Sequence, residues 1–71
     1  MTLESFERNF QKDVLRKLTK KIPAKAMIVA ISLASEVEGH SIEELTAFAQ
    51  NQLDQYSALR GKVEVKIMKI K

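Results

Sequence analysis

The last stretch of the chain, GKVEVKIMKIK, constrains the fold more than any other. Residues 63–70 alternate in the manner of a β-strand, with Val63, Val65 and Ile67 on one face and Glu64, Lys66, Met68 and Ile70 on the other. A strand exposes a row of backbone donors and acceptors, and these must be paired. Everything upstream therefore has to be read for a partner.

Upstream, helical signals dominate. Leu3, Phe6, Phe10, Val14 and Leu18 recur at intervals of three and four, and Leu15 and Ile22 widen the stripe. Thr2 is placed to cap this helix, and Pro23 to end it. The expected span is 3–21. The next segment, PAKAMIVAISLASEVEG, has two readings. Ile28, Val29 and Ile31 favour a strand. Ala24, Ala26, Ala30 and Ala34, with Pro23 before them and Gly39 after, favour a helix over 24–38. Ser41 followed by Glu44 forms a capping box for a helix over 42–59. Its stripe is Ile42, Leu45, Ala49, Leu53 and Tyr56, with Phe48 and Leu59 at the margins and Gly61 as the stop.

The fold expected from these signals is mainly α, with three helices followed by one C-terminal strand, α-α-α-β. In that arrangement the strand has no partner in its own chain, so it pairs across a homodimer through Val63, Val65, Ile67, Met68 and Ile70. The alternative is α-β-α-β, in which residues 26–34 form a strand parallel to the last one and the 42–59 helix is the crossover.

Size agrees with a second subunit. Seventy-one residues make one domain, and a chain this short buries only about 60% of the surface that its unfolded form exposes. There is no cysteine, so neither disulfides nor thiolate metal sites contribute. No apolar run approaches the roughly 20 residues that span a bilayer, and the mixed N-terminus does not resemble a secretory leader. A cytoplasmic location is expected.

Charge is segregated. The net charge of +3 combines basic ends with a middle, residues 27–58, that has no Lys or Arg and contains Glu36, Glu38, Glu43, Glu44 and Asp54. On the first helix Arg8, Lys12, Arg16 and Lys20 step along one face, with Lys17 and Lys21 beside them. A row of this kind follows a phosphate backbone, and the tail lysines 62, 66, 69 and 71 add to it. As a plain solvated face, the same row would be partly neutralised by the i,i+4 pairs Glu4–Arg8 and Asp13–Lys17. The phenylalanines, and Tyr56 with them, are expected in the core, which leaves no aromatic platform for unpaired bases. A helix-turn-helix is disfavoured because Glu43 and Glu44 open the second helix and would repel phosphate.

No catalytic constellation stands out. His40 lies between Glu36 and Glu44, but a break at Gly39 is expected to separate them, and His with Glu is a poor zinc set. There is no phosphate loop and no nucleophile motif. The chain thus reads as a non-enzymatic regulatory or accessory protein with no cofactor and no metal, touching nucleic acid through its first helix and tail. The alternative is an interaction module that binds a protein partner by its acidic middle or by strand addition.

Overall fold

The computed structural model describes residues 1–70, and Lys71 lies outside them. Helix α1 covers residues 3–20 in three continuous parts. Regular turns over Leu3–Phe10 and Arg16–Lys20 flank a π turn over Gln11–Leu15, in which the Arg16 N–H donates to the Gln11 carbonyl five residues back. Strand β1 is Met27–Leu33, helix α2 is Ile42–Asp54 and strand β2 is Val63–Lys69. Both helix starts follow the local signals. The Thr2 hydroxyl accepts from the Ser5 N–H at 3.1 Å. Ser41 and Glu44 complete a reciprocal capping box with two bonds of 3.2 Å.

The order is α-β-α-β, so the expectation of three helices and one strand is corrected, and the alternative arrangement is the one found. No helix forms over 24–38. Three of the four alanines that favoured it, Ala24, Ala26 and Ala34, flank β1 and do not belong to it. What remains, MIVAISL, is rich in β-branched residues. Tertiary pairing then decides the matter, because β2 needs a backbone partner and β1 supplies one. The two strands run parallel in the register Met27↔Val63 to Leu33↔Lys69. Met27 N–H donates to the Lys62 carbonyl at 2.8 Å, and Ile70 N–H to the Leu33 carbonyl at 2.8 Å. The C-terminal strand thus finds its partner within its own chain and no longer needs one from a second subunit.

Both helices share one core with the sheet. Val63, Val65 and Ile67 are buried with Leu45, Ala49 and Leu53 of α2. Phe6, Phe10, Leu15 and Leu18 are the buried residues of α1. The Phe6 ring stacks on Phe10, with centroids 6.4 Å apart, and meets Phe48 of α2 at 6.5 Å, which ties the two helices together. The opposite sheet face carries Ile28, Ala30 and Ser32 beside Glu64, Lys66 and Met68, all of them exposed.

Helix α2 ends at Asp54, five residues before the expected stop. A turn follows, in which Leu59 N–H and Arg60 N–H both donate to the Tyr56 carbonyl. Leu59 is fully buried by this turn, whereas Tyr56 points outward at 44% exposure, against the expectation of a core tyrosine. Gly61, with φ of +76°, serves the turn that leads into β2.

Candidate functional site

The basic row of α1 is set by the same geometry that buries its other face. In a regular α-helix, residues four apart drift by about 40°, so Arg8 and Lys20 would lie about 120° apart around the axis. The π turn absorbs one extra residue and takes back about 100° of that rotation. Arg8, Lys12, Arg16 and Lys20 therefore lie nearly in line, on the side away from Phe6, Phe10, Leu15 and Leu18. The four cations are exposed, as are Lys17 and Lys21.

Most of this row is unneutralised. Arg8 meets Glu4 at 3.5 Å, an exposed i,i+4 pair. The other expected pair, Asp13–Lys17, is not formed, because i,i+4 positions spanning the π turn no longer face each other. Among the described residues no acid lies within ion-pairing distance of Lys12, Arg16, Lys17, Lys20 or Lys21. Beyond Arg8 the row is thus a linear set of free cations on a helix whose opposite face is fixed in the core.

The tail behaves differently. Lys69 is paired with Glu36, which joins the end of β2 to the loop after β1, and Lys66 lies on the open sheet face. Lys71 is outside the described residues. The structure does not bring the tail residues Val63, Val65, Ile67, Met68 and Ile70 to one surface. The first three are core residues at 3%, 4% and 6% exposure, and only Met68 and Ile70 face outward.

Two of the central acids are already engaged. The Lys69 ammonium bonded to the Glu36 carboxylate, with its charge close by, holds that carboxyl below the usual range. Glu44 is also held below it, first by the hydrogen bond from the Ser41 backbone, which outweighs the opposing effect of burial, with the Ser41 side chain and His40 adding to the lowering. His40 Nδ1 lies 3.6 Å from Glu44, so the break at Gly39 does not part these two as expected; Glu44 reaches back along the cap. Among the described residues no three His, Cys, Asp or Glu side chains converge as metal ligands would.

One polar contact escaped the sequence reading. Gln50, on the flank of α2, lies alongside β2 and bonds its outer edge with both ends of its amide. Nε2 donates to the Val63 carbonyl at 2.9 Å, and Oε1 accepts from the Val65 N–H at 2.9 Å. The side chain thus stands where a third strand would pair. Its only sequence signal is a position adjoining the buried Ala49, which becomes informative once α2 is known to be a crossover onto β2.

The chain matches no protein-family model, no curated protein and no solved structure. No helix among the described residues is long and apolar enough to cross a membrane.

Proposed function

We propose that this small protein is a cytoplasmic accessory factor that binds nucleic acid through the phosphate backbone, using the basic face of α1. The carrying observation is the aligned, unpaired row Lys12, Arg16 and Lys20, with Arg8 at its head, Lys17 beside it and Lys21 just past the helix end. A phosphate backbone is a linear array of negative charge that releases counterions when neutralised, and a row of helix-borne cations engages it without reading bases. Tyr56 is exposed but stands in the turn after α2, outside the row, so base stacking is not part of this mode. The competing reading, capture of a protein by the acidic middle, has less support because Glu36 and Glu44 are engaged within the chain.

The test is binding of random-sequence duplex DNA and duplex RNA, followed by fluorescence anisotropy over a salt series. Affinity is expected to fall by about 0.9 log units per log unit of salt for each phosphate contact on DNA, giving a slope near −3.6 for about four contacts. Arg16→Glu combined with Lys20→Glu abolishes binding and leaves the thermal midpoint within a few degrees, since both side chains are exposed. Absence of binding at about 50 mM salt, or a complex indifferent to salt, would overturn the proposal.

A further inference from the structure

The two edges of the sheet are not equivalent. In the observed register the odd-numbered residues of β1 direct their backbone groups toward β2, as Met27 and Leu33 do. Ile28, Ala30 and Ser32 therefore direct their N–H and C=O groups away from it. Among the described residues none of these groups has a hydrogen-bond partner. The outer edge of β2 is instead occupied at Val63 and Val65 by the Gln50 amide and carries Glu64, Lys66 and Lys69 along the strand. The β1 segment MIVAISL has no charge, proline or glycine to discourage pairing. Its core-side residues are also incompletely covered, since Val29 and Ile31 are half-buried and Met27 is exposed.

We propose that a second copy of this chain adds to the free edge of β1, antiparallel about a two-fold axis at Ala30. The product is a four-stranded sheet in the order β2-β1-β1-β2. Ala30 then faces Ala30 of the copy, and Ile28 faces Ser32, and each of these pairs exchanges both of its N–H···O=C bonds. Val29 comes to lie beside Ile31 of the copy, which extends the apolar face that the helices leave half-covered.

Charge selects a like chain in this orientation. β1 is preceded by Lys20, Lys21 and Lys25 and followed by Glu38 and by Glu36, of which Lys69 already neutralises Glu36 and leaves Glu38 as the acid of that end. An antiparallel copy sets the basic end of one strand against the acidic end of the other, twice, whereas a parallel copy would set like against like. The assembly also closes. Once the two β1 edges are joined, the remaining outer edges belong to β2 and carry Gln50. This inference does not depend on nucleic-acid binding by α1.

The test is the solution mass across micromolar concentrations by light scattering or sedimentation. The wild type is expected at twice the chain mass of 8.1 kDa. Ala30→Pro and Ala30→Lys are both expected at the single-chain mass with unchanged helical circular dichroism. Proline is tolerated where the N–H faces solvent, and two lysines placed opposite each other repel. Should Ala30→Pro fail to fold, Ala30→Lys alone decides. Met68→Lys, on the open face of β2, leaves the dimer intact. Lys25→Glu weakens the dimer at least several-fold, and adding Glu38→Lys restores it. A monomeric wild type, including one that pairs only with a different protein's strand, overturns the proposal. So does a dimer that survives both Ala30 variants, one that Met68→Lys disrupts, or one indifferent to Lys25→Glu.

Discussion

Gln50 makes the sharpest prediction about how this fold holds its second strand. Replacing it by alanine removes two 2.9 Å bonds to the β2 backbone and leaves Val63 O and Val65 N–H without their side-chain partner. At about 1 kcal/mol of net stability for each bond, the loss is about 2 kcal/mol. The further 3.2 Å contact from Nε2 to Asp54 joins residues four apart on α2 and adds at most about 0.5 kcal/mol. For a domain of this size each kcal/mol moves the midpoint by about 4–8 °C, so Gln50→Ala should melt about 8–16 °C below wild type. Gln50→Glu separates the two bonds. One carboxylate oxygen still accepts from Val65 N–H, but the other now faces the Val63 carbonyl and Asp54, where a donor stood. Ionisation is opposed there, so the folded-state pKa of the new carboxyl is raised above the unfolded value near 4.3. A raised pKa contributes stability that is present below the unfolded value and lost as pH rises through the folded one. Thermal melts followed by circular dichroism should therefore show the deficit of Gln50→Glu against wild type shrinking as pH falls from neutral toward about 4. A midpoint for Gln50→Ala within about 2 °C of wild type would refute the reasoning, since that gap is well under 1 kcal/mol. A Gln50→Glu deficit independent of pH would do the same.

Other expectations follow from the caps, the core and the π turn. Ser41→Ala should cost about 1 kcal/mol in denaturant unfolding and speed amide exchange over residues 42–45. The support from Glu44 is present above the ordinary carboxylate range and is lost as pH falls through its lowered pKa, so an NMR titration should place its midpoint below that of glutamate in the unfolded chain. Leu53→Ala, at a side chain with no exposed surface, should lose about 2–5 kcal/mol in denaturant unfolding. Deleting Gln11 should leave the thermal midpoint unchanged or higher, because Phe10 and Leu15 then stand four apart on a regular helix; deleting Ala47 from the regular α2 should unfold the chain.

How legible each element was follows from how local its cause is. Thr2 and the Ser41–Glu44 box act on the backbone within one turn, and both helix starts lie where those residues put them. β2 was equally clear, since its alternation is complete in itself. β1 was not, because what decides it is a register with β2 that joins Met27 to Val63, and no local count of alanines against isoleucines contains that partner. The same distance hid Gln50, whose bonds reach 13 and 15 residues along the chain. The end of α2 was misplaced for a related reason. Gly61 has the positive φ that a helix stop requires, but it serves a turn that buries Leu59 and turns Tyr56 outward.

The π turn shows why the core and the candidate site of α1 cannot be treated separately. The sequence offers Val14, four residues after Phe10, and Leu15, five after it, as the next core residue. A regular helix would favour Val14. The structure buries Leu15 and leaves Val14 half-covered, and accepts one irregular turn to do so. The larger leucine removes more apolar area from water, at about 25 cal/mol per Å². That choice fixes the angular position of everything after Leu15, so Arg16 and Lys20 fall back into line with Arg8 and Lys12, and Lys17 loses Asp13 as a partner. A core preference at one position thus aligns the cations and frees Lys17 beside them. The basic row is then a consequence of how Leu15 packs, and not only of how many lysines and arginines the helix contains.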